Sequence, residues 1–106
     1  MKITVIGDIM IDNCMANYLD VYKKDGTYDF NYMFENVSSF LKKSDLVIGN
    51  LETPVSYDNS DLTNEQWKFN SPREFAEAVK NAGVDVVSTA NNHCLDRGMT
   101  DRKSVV

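Results

Sequence analysis

The sequence predicts an α/β fold in which short strands alternate with amphipathic helices. Two kinds of pattern support this prediction: short β-branched runs that stop at a polar residue, and segments whose apolar residues recur every three or four positions. They occur in the order strand, helix, strand, helix, strand. Strands joined by helical crossovers pair in parallel, so we expect a mainly parallel sheet. The 106 residues give room for one domain, which we assign to residues 1–106.

The first strand is predicted over residues 2–6, where the β-branched run Ile3-Thr4-Val5-Ile6 indicates a buried strand. Gly7 and Asp8 come directly after this run. A glycine followed by an aspartate is typical of a turn, so we expect the strand to end there and a loop to begin.

The first helix is predicted to begin at Asp29, a plausible N-cap, and to end near Lys42-Lys43, whose charges suit a helix carboxyl terminus. The apolar residues of one face are Phe30, Met33, Phe34, Val37, Phe40 and Leu41. We expect Phe30, Phe34, Phe40 and the later Phe75 to lie in the core. The run Leu46-Val47-Ile48 then predicts a second buried strand, which ends at Gly49-Asn50.

The second helix has the clearest boundary signals in the sequence. Ser71 is the predicted N-cap, Pro72 takes the first helical position, and Glu74 completes a capping box. Gly83 supplies a left-handed residue at the end of the helix. The predicted core face is Phe75, Ala78, Val79 and Ala82, and the run at 84–87 predicts the third strand.

A polar segment, residues 56–70, separates the second strand from the second helix and predicts a long surface loop. Trp67 lies in this segment among polar neighbours. Two roles are open for it at this point: a packed anchor of the loop, or a contact with a ligand.

Composition restricts the partners and the compartment. The 16 acidic side chains outnumber the 11 basic ones, which argues against nucleic-acid binding because that function needs clustered lysine and arginine. Cys14 and Cys94 form no CxxC pair, so neither a thiolate zinc site nor a redox motif is expected. No apolar run has the length of a signal peptide or a membrane segment. We therefore expect a cytoplasmic protein with reduced thiols.

Polar side chains that can bind a metal follow each predicted strand. They are Asp8 after the first strand, Asn50 and Glu52 after the second, and Asn92, His93 and Asp96 after the third. Four of them also have an ordinary structural explanation when taken alone: Asp8 and Asn92 as turn residues, Glu52 as a solvated loop carboxylate and His93 as a helix cap. Because the carboxyl ends of parallel strands share one edge of a sheet, we expect them to converge. Oxygen donors with one imidazole suit Mn, Fe, Mg or Zn, so the pattern predicts a divalent-metal site.

Four segments, in order, carry a resemblance to a known family. They read VIGDIM at 5–10, DLVIGNLETP at 45–54, FNSP at 69–72 and AGVDVVSTANNHCLDRG at 82–98. Together they resemble the capsule-synthesis protein CapA family, which is associated with poly-γ-glutamate synthesis and export. That family is related to the calcineurin-like metallophosphoesterases.

The resemblance implies the amino-terminal portion of a metallophosphoesterase-like α/β/β/α sandwich with a metal centre. The metal ligands it implies are Asp8, Asn50, Glu52 and Asn92. His93 would act on the phosphoryl group, and Asp96 would orient its imidazole. The implied activity is metal-dependent hydrolysis of a phosphoester or related bond. An anionic polymer or phosphoester would be the substrate, and capsule synthase proteins would be the partners.

Two features differ from the phosphoesterase pattern. Met10 stands where phosphoesterases carry a histidine two positions after the first aspartate, and His93 is the only histidine in the chain. The wider family takes further histidine ligands from later segments. We therefore expect this chain to be the amino-terminal part of a longer domain, inactive alone and prone to self-association through exposed strand edges.

Three other functions compete with this one. A non-catalytic accessory protein of a polymer synthesis and export complex is compatible with the same sequence and stays open. A sugar kinase of the ribokinase type, with Asp8 and Asp12 on the sugar, lacks its glycine-rich phosphate loop. An esterase of the Gly-Asp-Ser class is excluded because Ile9 replaces the nucleophile.

Overall fold

The computed structural model describes residues 1–11, 21, 23–56, 62 and 66–98. Its elements in chain order are strands β1 (Ile3–Ile9), β2 (Lys23–Lys24) and β3 (Thr27–Tyr28), helix α1 (Asn31–Leu41), strand β4 (Leu46–Leu51), helix α2 (Arg73–Ala82) and strand β5 (Val86–Ser88). Strands β1, β4 and β5 form a sheet in that order, and both pairs are parallel. The predicted α/β class is confirmed. Asp12 and Cys14 lie outside the described residues.

Strand β1 is longer than the sequence predicts, since it continues through Gly7 and Asp8 to Ile9. A register irregularity between Val5 and Asp8 lets the pairing with β4 resume after the glycine. Asp8 then lies opposite Asn50, and Ile9 opposite Leu51. The predicted loop at Gly7-Asp8 is therefore wrong, and the consequence is that Asp8 is held in the sheet.

Helix α1 begins one residue later than a cap at Asp29 predicts, because Phe30 occupies the N-cap position. The Asp29 carboxylate nevertheless accepts a hydrogen bond from the Asn31 main-chain N–H at 3.0 Å. At the other end Lys42 is the C-cap residue. The predicted role of Asp29 at the start of the helix is thus kept, with a shifted boundary.

The core lies between the two helices and one face of the sheet. Phe30 and Phe75 are both 1% exposed and meet edge to face, with ring centroids 5.7 Å apart. Phe34 packs beside Phe75 and is partly buried. Phe40 does not belong to the core as predicted: it is 57% exposed, and the Lys2 ammonium lies 5.1 Å above its ring. Leu41, the next residue, takes the inward position instead.

Helix α2 begins at Arg73, with Pro72 as its N-cap residue. The predicted cap at Ser71 is wrong because this residue has a different partner. Its hydroxyl donates to the Pro54 carbonyl at 3.2 Å, and its backbone forms a parallel bridge with Val55. At the other end Gly83 has a φ of 104°, which confirms the left-handed stop.

Strand β5 starts two residues later than predicted, but the residues before it already bind to the sheet. The Asp85 main-chain N–H donates to the Val47 carbonyl at 3.0 Å. Its carboxylate accepts from the Val47 main-chain N–H at 2.8 Å. Val84, which precedes it, is buried in the core.

A small hairpin, β2–β3, was not predicted. Its strands are joined by Asp25 and Gly26, both in the left-handed region with φ values of 51° and 83°. An Asp-Gly pair between two short strands is a known signal for such a turn. The sequence therefore held the signal, at residues 25–26.

The helices cover one face of the sheet, and the opposite face is apolar and open within the described residues. Val5, Ile48 and Val86 lie side by side on this open face in the register of β1, β4 and β5. Val5 is 74% exposed and Val86 49% exposed. The prediction of a buried first strand is thus wrong for Ile3 and Val5, because nothing in the described part of the chain covers them.

Two further observations concern exposed segments. Trp67 is 71% exposed, so the prediction of a packed loop anchor is wrong, whereas a ligand contact stays a prediction. Much of the loop predicted at 56–70 lies outside the described residues. Neither of the two helices above has the length and apolar character needed to cross a bilayer.

Candidate metal centre at the strand ends

Asn50 is the meeting point of two carboxylates at the end of β4. Its side-chain nitrogen donates to Asp8 Oδ1 at 2.8 Å, and Asp8 is its partner in the β1–β4 register. The same nitrogen donates to Glu52 Oε2, two residues further along the chain, at 2.5 Å. Two acidic groups that the sequence places 44 positions apart, at 8 and 52, therefore converge on one atom.

Asn91 links the exit of the third strand to this pair. Its side-chain nitrogen donates to Asn50 Oδ1 at 3.0 Å and to the Leu51 carbonyl at 2.9 Å. Its side-chain oxygen accepts from the His93 main-chain N–H at 3.1 Å. Asn91 thus uses both ends of its amide, and it fixes the Asn50 amide with the nitrogen turned toward the carboxylates.

Asn92 was predicted as a site residue from the sequence, whereas Asn91 was missed. In the structure Asn92 is exposed, and it is not among the residues hydrogen-bonded to Asn50. Its role as a metal ligand stays a prediction. Two adjacent asparagines gave no sequence signal for choosing between them, because the choice depends on the local turn and on where Asn50 lies.

His93 is held between two carboxylates. Its Nδ1 lies 2.7 Å from Asp96 Oδ2, and its Nε2 lies 3.8 Å from Glu52 Oε1. A carboxylate can only accept, so Nδ1 carries the hydrogen in the bond to Asp96. In the neutral ring the lone pair is then on Nε2, on the side of Glu52. This is the contact that the predicted orienting role of Asp96 requires.

Thr53 joins the segments that follow β1 and β4, and no sequence pattern had pointed to it. Its side chain is completely buried. The hydroxyl accepts from the Ile11 main-chain N–H at 2.8 Å and donates to the Ile11 carbonyl, 3.1 Å away. Because Thr53 is hydrogen-bonded to both main-chain groups of Ile11, it fixes the position of its neighbour Glu52 relative to β1.

We refer to these polar side chains at the sheet edge as the strand-end cluster: Asp8, Asn50, Glu52, Asn91, His93 and Asp96. Carboxylate, amide and imidazole groups suit a hard or borderline divalent cation. Among the described residues, however, no three His, Cys, Asp or Glu side chains are arranged to hold a metal ion. In this arrangement the Asn50 nitrogen donates to both Asp8 and Glu52, and Asp96 is bonded to Nδ1 of His93. The donors in the described part of the chain are thus of a chemical kind that suits a divalent cation, but they are not arranged to hold one.

Comparison with known proteins places this cluster in a family context. The family model for the bacterial capsule synthesis protein PGA_cap matches residues 2–101. The capsule biosynthesis protein CapA of Bacillus anthracis is 33% identical over 109 residues, which cover all of this chain and 25% of that protein. The PGA biosynthesis protein CapA of Bacillus subtilis (strain 168) is 27% identical over 107 residues, with 100% and 27% covered. The chain spans about a quarter of the length of these relatives.

Proposed function

Because the chain belongs to the bacterial capsule synthesis protein family PGA_cap, we propose that its strand-end cluster is one side of a divalent-metal site. In the complete site the metal would serve hydrolysis of a phosphoester or related bond during capsule synthesis. Mn, Fe, Mg and Zn are the candidate ions, since all accept oxygen and imidazole ligands.

The observation that supports this proposal most directly is the convergence of Asp8 and Glu52 on one nitrogen of Asn50. Two carboxylates brought this close repel each other unless a positive group lies between them. In the structure the partial positive charge of an amide N–H takes that place. A divalent cation would neutralise the pair far more effectively, and Asn50 would offer it an oxygen only after turning its amide over and giving up the bond from Asn91.

Each side chain of the strand-end cluster has a separate role in this proposal. Asp8 and Glu52 would hold the cation, which supplies Lewis acidity and a more acidic bound water. Asn91 bonds to the Leu51 carbonyl and to the His93 main chain, and so keeps the two strand exits at a fixed separation. His93, with Nδ1 bonded to Asp96, presents Nε2 to a substrate oxygen and can accept or return a proton there.

The substrate, partners and location are part of the same proposal. A phosphoester or an anionic polymer is the substrate class, because a cation at the cluster would bind negatively charged oxygens. The name of the Bacillus subtilis relative, a PGA biosynthesis protein, favours poly-γ-glutamate as that polymer. Capsule synthase proteins are the proposed partners, and a cytoplasmic location is proposed for this segment.

Calorimetric titration of the 106-residue chain with Mn²⁺ tests the metal site. We expect one ion per chain, and we expect Asp8→Asn or Glu52→Gln to weaken binding about tenfold or more. Asp29→Asn is the matched control, since it removes one carboxylate from the start of α1 and should leave the titration unchanged. Equal binding by the wild type, both site variants and the control would show that the cluster is not a metal site.

A non-catalytic accessory role is the second candidate function. Two observations favour it: among the described residues no three His, Cys, Asp or Glu side chains are arranged to hold a metal, and the open face of the sheet is apolar. This role predicts recovery of synthase proteins with the full-length protein in a pull-down, unchanged by Glu52→Gln. A hydrolase predicts instead that Glu52→Gln abolishes metal-dependent turnover by the full-length protein.

A further inference from the structure

Phe69 and His93 share one acceptor, the carboxylate of Asp96. Asp96 Oδ2 accepts from His93 Nδ1 at 2.7 Å and from the Phe69 main-chain N–H at 2.8 Å. The second bond gives the carboxylate an anchor that is independent of the imidazole. A carboxylate held by two donors has less freedom to rotate than one held by His93 alone, so the Phe69 main chain restricts the carboxylate that binds the imidazole.

The ring of Phe69 also touches the imidazole directly. The two ring centroids lie 4.4 Å apart, and the ring planes are inclined by 44°. Phe69 is 6% exposed, so its ring is a fixed part of the interior and not a mobile surface group. A buried ring this close to the imidazole opposes rotation of that imidazole about its bond to the β-carbon.

Phe69 is itself held by the segment that follows Glu52. The Ser71 main-chain N–H donates to the Pro54 carbonyl, and the Ser56 main-chain N–H donates to the Ser71 carbonyl, both at 2.8 Å. The Asn70 side chain adds a bond to the Ser56 hydroxyl at 2.9 Å. This pairing starts two residues after Glu52 and one residue after Phe69. The hydrogen bonds between the two segments therefore hold Glu52 and Phe69 in a fixed relative position.

We propose that Phe69 is a positioning residue for His93. Its ring and its main-chain N–H together hold the imidazole with Nδ1–H on Asp96 and with Nε2 turned toward Glu52. The proposal rests on the proposed function, in which Nε2 is the atom that meets the substrate. Without the Phe69 ring the imidazole can rotate, and the nitrogen presented to the cluster is no longer fixed.

The single histidine of the chain makes a direct test possible, because a sample labelled with ¹⁵N-histidine contains one imidazole. Long-range ¹H–¹⁵N correlation spectra of the 106-residue chain, recorded without metal, distinguish hydrogen on Nδ1 from hydrogen on Nε2. Phe69→Leu keeps the main-chain N–H and an apolar side chain but removes the aromatic ring. We expect this variant to raise the ratio of Nε2–H to Nδ1–H forms about two- to tenfold.

Phe75→Leu is the matched control, since Phe75 is another buried aromatic residue whose ring contacts are with Phe30 and Phe34. It should lower stability as Phe69→Leu does, yet leave the His93 signals unchanged. If Phe69→Leu also leaves them unchanged, or if both variants alter them equally, Phe69 only fills space and the proposal fails.

A measurement on the wild type covers the case in which Phe69→Leu does not fold. Nuclear Overhauser effects between the ring protons of Phe69 and His93 are expected at the 4.4 Å centroid separation. Their absence from a folded sample would overturn the proposal. Both measurements are made without metal, so they can fail independently of the Mn²⁺ titration: a missing Phe69 effect overturns this inference, whereas Mn²⁺ binding that is equal in the wild type and in the Asp8 and Glu52 variants overturns the proposed function.

Discussion

Asp8 and Asn50 lie opposite each other in the β1–β4 register, and the Asn50 side-chain nitrogen donates to Asp8 Oδ1 at 2.8 Å. The pair joins the exits of two strands that are 42 positions apart in the chain. It also places an amide where the Glu52 carboxylate arrives. The Asn50 amide is therefore the group that lies between the two carboxylates in the structure.

Asn50→Asp should make the cluster dependent on metal. A third carboxylate beside Asp8 and Glu52 adds repulsion and removes the N–H that both accept, so we expect a loss of about 1–3 kcal/mol in unfolding free energy. Urea denaturation with and without Mn²⁺ measures this. The variant should regain more stability from Mn²⁺ than the wild type does, and Asn36→Asp at an exposed position of α1 should respond to Mn²⁺ like the wild type. An Asn50→Asp protein as stable as the wild type without metal would contradict the prediction.

Thr53→Val should destabilise the fold although the two side chains have almost the same shape. The change leaves the buried N–H and carbonyl of Ile11 without the hydroxyl, at a cost of about 1–3 kcal/mol. Thr27→Val is the matched control, because that hydroxyl is exposed and should contribute less than about 0.5 kcal/mol. Chemical denaturation of both variants makes the comparison, and equal losses would show that the Thr53 bonds are not important.

Much of the site's layout follows from rules that act along the chain. Parallel strands separated by helices must bring their carboxyl ends to one edge, so the approach of Asp8, Asn50 and His93 is predictable from the order of the strands and helices alone. The stop at Gly83 is likewise local, because only glycine adopts a φ of 104° without strain.

Other features depend on contacts between distant segments and left no local signal. Ser71 has the sequence of an N-cap, but its bridge to Val55 offers its hydroxyl a buried acceptor and moves the helix start. Asn91 rather than Asn92 reaches Asn50, because the turn after β5 decides which asparagine faces the cluster. The apolar periodicity predicts Phe40 in the core, whereas in the structure its ring lies at the surface beneath the Lys2 ammonium.

Asp29 gives a pH dependence whose direction follows from its hydrogen bonds. Two hydrogen bonds from Asn31 lower the pKa of Asp29 below its ordinary value of 3.8. The bond from the Asn31 main-chain N–H has the larger effect, and the bond from the Asn31 side chain the smaller one. A lowered pKa in the folded state means that the stabilisation is complete above the unfolded pKa. It is lost as the pH falls through the folded pKa.

Asp29→Asn should therefore be less stable than the wild type at neutral pH, and the difference should shrink below about pH 4 and vanish in stronger acid. Urea denaturation across this range measures it. Ser39→Ala, an exposed change on α1 without a titratable group, should show a constant difference from the wild type. A gap between Asp29→Asn and the wild type that stays constant or widens in acid would reverse the predicted sign.

Gly83→Ala should lower the unfolding free energy by about 1–2 kcal/mol or more, because a side chain at positive φ is strained. The new Cβ would also lie only 2.9 Å from Lys42 Cγ. Gly7→Ala is the control, since a Cβ there has no neighbour within 4 Å and should change stability by less than about 0.5 kcal/mol. Thermal and urea denaturation compare the two, and the prediction is wrong if the variants are equally stable.

The open face of the sheet should make the 106-residue chain self-associate. Val5, Ile48 and Val86 form a continuous aliphatic strip across three strands, and Val5 is 74% exposed, so burying it against another surface is favourable. Val5→Lys places a charge in this strip without removing a core side chain. It should raise the dissociation constant for self-association about tenfold or more.

Tyr32→Lys is the matched control, since Tyr32 is 75% exposed but lies on α1, away from the strip. Sedimentation velocity over a range of concentrations separates the two variants. If Val5→Lys and Tyr32→Lys shift the association equally, the aliphatic strip is not the contact surface.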